Sequence, residues 1–334
     1  MILVTGATGL VGVHLISKLV NEEQQIRALY RTTIKKEAAK SVFQQSTIST
    51  QRDAFDTIDW VQGELNDIPS LTAAFKNVTK VYHCAAFISF NPFDYKKLRK
   101  INIEGTANIV NLALIHNIEK LCYVSSIATL GEDTMLSKID ETATWNPESS
   151  NSVYAITKYG AEMEVWRGIQ EGLNAVIVNP GIIIGPGFFD TGSGYLFKRI
   201  SKGMKYYTTG IGGYVAVQDV VDIMYQLTQS AITAERYIVV SENLSYKHAF
   251  TLIATSINKP APTKNVSPFL MKIAYYFQFL SSIFFRTKRL IFKSFLKSAY
   301  NTTIYDNQKI QKELDYTFTP VDQAIKDTAK VFLS

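Results

Sequence analysis

Residues 1–12 read MILVTGATGLVG, an apolar run followed at once by Gly6, Ala7, Thr8, Gly9, Leu10, Val11 and Gly12. Apolar positions then recur at Leu15, Ile16 and Leu19, so the spacing predicts a strand that turns into a helix across glycines. Such a turn must bend sharply, and glycine lets backbone N–H groups approach a ligand without interference from a Cβ. The helix that follows aims the partial positive charge of its N-terminus at an anion. A dinucleotide pyrophosphate is held in this way. Glycine triplets also occur at ordinary strand-to-helix corners, and a second motif, at Tyr154, is needed to separate the two readings.

The chain has 334 residues, 46% of them hydrophobic, enough to bury a large core as about two domains or as one with a substantial annex. Its net charge is +6, from 35 Lys and Arg against 29 Asp and Glu. The basic residues are dispersed except between Lys272 and Lys297, which argues weakly for anionic ligands and not for nucleic acid. Cys84 and Cys122 each fall inside an apolar, strand-like run and read as buried free thiols, in keeping with a reducing compartment. The first strand begins at the first residue, so a cytoplasmic protein is expected. No metal site is expected.

Residues 25–30 (QIRALY) read as a second buried strand, ending at Arg31. At this point of a dinucleotide site a carboxylate binds the ribose 2′-OH, whereas an Arg accommodates a 2′-phosphate. Here Tyr30 and Arg31 are followed by Lys35 and Lys36, with no acid before Glu37. The lysines read equally well as a solvated basic loop. Residues 37–57 read as a helix fading into a surface loop. Strands follow at 59–62, 78–86, 121–126 and 174–179, with helices begun by Pro69 and over 94–117 and 151–172. Strands apolar on both faces and separated by helices imply a parallel sheet covered on both sides, with ligands at the carboxyl ends of the strands. Those ends carry Gly6, Arg31, Glu64 and Ala85-Ala86. Residues 131–151 read as a loop. Beyond 180 the alternation loosens, with helices predicted at 194–203, 217–230, 246–257, 268–281 and 320–332 and strands near 204–208 and 236–240. The predicted fold is α/β, a doubly wound parallel (Rossmann) sheet over 1–180 with a smaller α/β substrate-binding region over 181–334.

Tyr154 and Lys158 are four residues apart in a predicted helix and so stand one turn apart on one face. A phenol with a pKa of about 10 is a poor acid–base group at neutral pH, but a neighbouring ammonium favours the phenolate. The same ammonium can hold the nicotinamide ribose. Ser126, at a strand end, can bind a substrate oxygen and fix its distance from the phenol. Together they make a site for proton transfer to or from a carbonyl or alcohol oxygen.

These motifs, in this order, resemble the extended short-chain dehydrogenase/reductases over nearly the whole chain. TGATGLVG is similar to the family's TGxxGxxG loop and GELND to its adenine-contacting GDLxD, with Glu64 in place of the usual Asp. VYHCAA resembles the fourth-strand motif, Asn102-Ile-Glu-Gly105-Thr106 the N-x-x-G-T helix, YVSSIATLG the serine strand and YAITK the Tyr-Lys pair. The resemblance implies cofactor contacts at Gly6, Thr8, Gly9, Leu10, Val11, Gly12, Arg31, Glu64, Leu65, Ala85, Ala86, Ser125, Tyr154, Lys158, Pro180, Gly181 and Ile183. It implies catalytic roles for Ser126, Tyr154, Lys158 and Asn102. NPGIIIGPG, GGYVAVQDVV and ERYIVVSENLSY are similar to the dihydroflavonol-reductase-like branch, whose members reduce carbonyls or oxidise alcohols on apolar or aromatic molecules.

An NADP-dependent reductase acting on such a small molecule is therefore expected, with NAD as the alternative cofactor. An NAD-dependent sugar-nucleotide epimerase is the second reading, and the basic Arg31 speaks against it. A dehydratase would carry an Asp-Glu pair where Ile127-Ala128 stand. A non-catalytic nucleotide-binding protein is the third reading, opposed by the intact Ser126, Tyr154 and Lys158. Residues 268–300, aromatic and basic, read as annex helices or, alternatively, as a peripheral membrane contact. The helices over 94–117 and 151–171 resemble a pair through which many family members form homodimers.

Overall fold

The computed structural model describes residues 1–22, 24–45, 52–131, 138–285 and 292–334. Seven parallel strands form the main sheet: β1 (Ile2–Thr5), β2 (Ile26–Tyr30), β3 (Asp59–Gln62), β4 (Lys80–His83), β5 (Lys120–Val124), β6 (Ala175–Pro180) and, out of sequence, β10 (Glu235–Val239). Their order is β10-β6-β5-β4-β1-β2-β3. The order reverses between β1 and β4, and this is where such sheets bind ligands. Helices α1 (Leu10–Asn21), α2 (Thr33–Gln45), α3 (Ile68–Ala74), α4 (Tyr95–Leu98), α5 (Gly105–Ile115) and α6 (Val153–Gln170) make the crossovers.

Because successive side chains of a strand point to opposite faces, each strand feeds two cores. Ile2, Val4, Cys122, Val176 and Val178 pack on one face with α1, while Leu3, Leu121, Tyr123, Ala175 and Ile177 pack on the other with Val110 and Val165 of α5 and α6. Gly168 of α6 lies so close to Val110 that a Cβ would come within 2.5 Å of it, and Gly160 likewise meets Ile103 at 2.6 Å. Much of the apolar surface of these two helices is thus covered within the chain.

The second region contains β7 (Ile182–Ile184), α7 (Gly194–Ser201), β8 (Tyr206–Tyr207), β9 (Ile211–Ala216), α8 (Val217–Gln229), β11 (Glu242–Ser245), α9 (Tyr246–Ser256), β12 (Lys264–Asn265), α10 (Pro268–Phe285), α11 (Lys293–Ser298), α12 (Gln308–Leu314) and α13 (Val321–Leu333). Its core joins Ile184, Phe197, Tyr214, Ile253 and Ile325.

Several elements differ from expectation. The helix expected over 94–117 is interrupted by a π-helical turn at Arg99–Glu104. The polar stretch before β3 holds a 3-10 turn (Arg52–Thr57), anchored by Phe55, whose ring lies 5.4 Å from Phe43 and 4.6 Å from Trp60. Part of that stretch, 46–51, lies outside the described residues, as does 132–137 of the expected loop. The division near 180 is crossed twice: β10 completes the main sheet beside β6, and Val220, Val221 and Met224 of α8 share the core of α1. A two-faced apolar strand such as ERYIV finds more buried surface at the open edge of β6 than in the small second sheet, β11-β9-β7.

Candidate active site

Gly6 ends β1 with φ of +67° and lies so close to β4's extension that a Cβ would come within 2.6 Å of the Ala85 nitrogen. Gly12 is closed by the Gly6 carbonyl, 2.2 Å from where its Cβ would stand. Both positions accept only glycine. Gly9 is the N-cap of α1, with extended backbone and no side chain to cap the first turn. Its free N–H groups and dipole therefore suit a phosphate, so this chain's residues fit a dinucleotide there. Thr8, Leu10 and Val11 are half-buried on the same turn, and Ala85 and Ala86 follow β4 across from it. The carboxyl end of β2 presents Arg31, exposed, and Lys35 beyond it. Partial burial and then the charges of Arg31 and Lys97 lower the pKa of Lys35, so three cations stand together.

The remaining expected cofactor contacts are distributed unevenly. Glu64 is exposed, whereas Leu65 is buried against Gly105. Pro180 closes β6, Gly181 lies flat on the Gly213 carbonyl and Ile183 packs on the main core from β7. The Ser125 hydroxyl donates to Glu162 at 2.5 Å, which directs it into the protein.

Tyr154 and Lys158 lie on α6, and Ser126 follows β5, as its neighbour at the sheet's carboxyl edge. Tyr154 is half-buried; desolvation of its phenol raises its pKa, and the neighbouring Ser126 hydroxyl opposes that rise. The Lys158 ammonium donates to the Tyr123 hydroxyl at 2.7 Å and to the Val124 carbonyl at 2.8 Å. Burial lowers its pKa to about 7, and the Glu162 charge works against that fall. Asn102 lies in the π-helical turn. Its amide bonds both backbone groups of Phe87, at 2.7 and 3.0 Å, and the Thr157 hydroxyl at 3.2 Å. It thereby ties the segment after β4 to the helix that carries Tyr154. Phe90, from that same segment, brings its ring within 5.4 Å of Tyr154.

Two buried polar systems beneath these groups had no place in the sequence reading. Glu162 accepts from Ser125, Thr129 at 2.7 Å, Asn179 at 2.9 Å and Arg236 at 3.1 Å. The four-residue step from Tyr154 through Lys158 to Glu162 was the available signal. Arg236 also donates to the Glu141 and Ala143 carbonyls at 2.8 Å; nothing local in the sequence indicates it, because it arrives on β10. On the other side of Lys158, the His83 ring stacks 5.4 Å from Tyr123 and meets Thr106 at 3.0 Å and Thr5 at 2.6 Å. Burial lowers the pKa of His83 to about 3, so the ring is neutral. The cysteines are free, and burial raises the Cys122 thiol to about 12.

Residues 4–227 match the profile of an NAD-binding family described as male sterility protein. A putative dihydroflavonol 4-reductase of Synechocystis sp. is 29% identical over 98% of this chain and 93% of its own length. Sterol demethylase protein B of Methylococcus capsulatus is 27% identical over 99% of this chain and 97% of its own. Among solved structures, gox2253 superposes with a TM-score of 0.81 at 27% identity, covering 100% of this chain and 98% of that one. The chain belongs to the NAD-binding male sterility protein family and is an NAD(P)-dependent oxidoreductase of the extended short-chain dehydrogenase/reductase type, with dihydroflavonol-reductase-like relatives.

Proposed function

We propose that the protein is an NADP-dependent carbonyl reductase for an apolar, ring-containing small molecule. The observation that carries this reading is the half-buried Tyr154, whose phenol lies beside the Ser126 hydroxyl and which stands one helical turn from Lys158. The Ser126 hydroxyl donates to the carbonyl oxygen and holds it against the phenol. Tyr154 gives its proton to that oxygen as negative charge builds there. Lys158 has three N–H groups, of which two are held by Tyr123 and Val124, and its charge stabilises the phenolate that proton transfer leaves on Tyr154. The bound nicotinamide supplies the hydride.

Arg31, Lys35 and Lys97 support NADPH as the form bound, since a 2′-phosphate relieves the mutual repulsion of the three cations. Phe90 over Tyr154, with Ile88 and Phe93 exposed nearby in the same segment, supports a substrate with little polarity. The relatives whose names include a dihydroflavonol and a sterol agree with a fused-ring compound. Assay of the purified protein with NADPH against aromatic and alicyclic ketones and aldehydes, beside a panel of UDP-sugars, tests this. NADPH consumption with the ketones is expected. Protein that is purified with tightly held NAD and interconverts UDP-sugars without net cofactor change would overturn it in favour of an epimerase.

A further inference from the structure

Helix α10 turns an apolar face outward. Phe269, Ile273, Tyr276, Phe277 and Leu280 recur at the spacing of a single helical stripe, and Phe269 and Phe277 are 71% and 72% exposed. Met271, on the opposite side, is the residue by which the helix is buried against the protein. The helix is also fixed at its start: β12 pairs with β8, and the Tyr300 hydroxyl donates to the Val266 carbonyl at 2.8 Å. An outward stripe of this size on a seated helix needs an apolar partner.

Charge identifies that partner. Between Glu242 and Asp306 the chain has nine Lys and Arg and no Asp or Glu, although its total charge is only +6. Among them Lys264, Lys272 and Lys293 are exposed. A stretch of chain that is basic throughout, has no acid and carries an exposed apolar aromatic stripe complements an anionic headgroup layer over hydrocarbon. No helix among the described residues is long and apolar enough to cross a membrane. With Met271 buried along one side and its start anchored, α10 lies along the protein's surface with the stripe outward.

We propose that α10 and α11 dock the protein on anionic bilayers, with the Phe269–Leu280 stripe in the headgroup–acyl boundary and the surrounding lysines on the phosphates. The proposal is independent of the reaction catalysed. Its test is co-sedimentation of the full chain with vesicles of phosphatidylcholine alone or mixed with phosphatidylserine, at low and high salt, with sedimentation velocity run alongside. Binding to the mixed vesicles, weakened by salt, is expected. Phe269→Ser/Phe277→Ser and Lys264→Gln/Lys272→Gln/Lys293→Gln should each weaken it at least about tenfold. Ile115→Ser, equally exposed at 71% on α5, should leave it unchanged, and thermal melts should be alike for all. No binding to the mixed vesicles at low salt would overturn the proposal. So would binding that neither variant weakens, or a wild-type dimer that Phe269→Ser/Phe277→Ser converts to a monomer without any vesicle binding.

Discussion

Glu162 stands one turn beyond Lys158 on the buried side of α6, and its negative charge opposes the burial that lowers the lysine's pKa to about 7. The ammonium is therefore present below that value and lost above it. For carbonyl reduction, kcat/KM should be highest on the acid side and fall as pH rises through about 7. Glu162→Gln removes the charge that holds the value up, so the descending limb should move to lower pH. A pH profile of NADPH-dependent reduction checks both, and a limb that stays in place in Glu162→Gln would detach it from Lys158.

Tyr154→Phe removes the proton donor and keeps the ring against Phe90. Turnover should fall at least about a hundredfold, the scale of general acid–base catalysis, while NADPH affinity by fluorescence titration stays close to wild type. Wild-type turnover in this variant would remove Tyr154 from the chemistry.

Arg31→Ala should weaken NADPH binding about tenfold and leave NADH nearly unchanged, because a partly solvated, charge-assisted hydrogen bond is lost only where a 2′-phosphate exists. Equal losses for both cofactors would mean that the guanidinium stacks on the adenine instead.

Arg236→Met leaves the Glu162 carboxylate, which is fully buried, without its ion-pair partner and the Glu141 and Ala143 carbonyls without the guanidinium that donates to them. Breaking one side of such a pair costs about 3–5 kcal/mol. Urea denaturation should show that loss, and a change under 1 kcal/mol on the same scale would mean the pair is dispensable.

The parts of the fold and site that were legible in sequence are those in which one short stretch carries the whole signal. MILVTGATGLVG contains its strand, its turn and its helix start, and YAITK sets two side chains on one face by helical period alone. Phe55 was not legible because a single aromatic in a polar run has no period. The π-helical turn around Asn102 also escaped, since its cause is the tertiary bond between Asn102 and Phe87 and not a residue that breaks helices. Arg236 and Glu162 are 74 positions apart, and only the placement of β10 brings them together. Short strands such as β7 and β9 were missed because glycines border or interrupt them, Gly181 and Gly185 around β7 and Gly212 and Gly213 within β9, and such glycines read as loop.

The crossing of β10 and α8 back into the main sheet bears on how this protein could exchange parts with its relatives. A recombination event that swapped everything after residue 180 would set β6 against the other protein's strand and Glu162 against whatever that strand carries in place of Arg236, so the buried pair below α6 would be rebuilt from two unmatched halves. The unit that can travel is discontinuous: β7 to β9 together with β11 onward, leaving α8 and β10 with the nucleotide half. New side chains around the site are thus more readily acquired one at a time in the segment after β4, which brings Phe90 to Tyr154, than by replacing the second region whole.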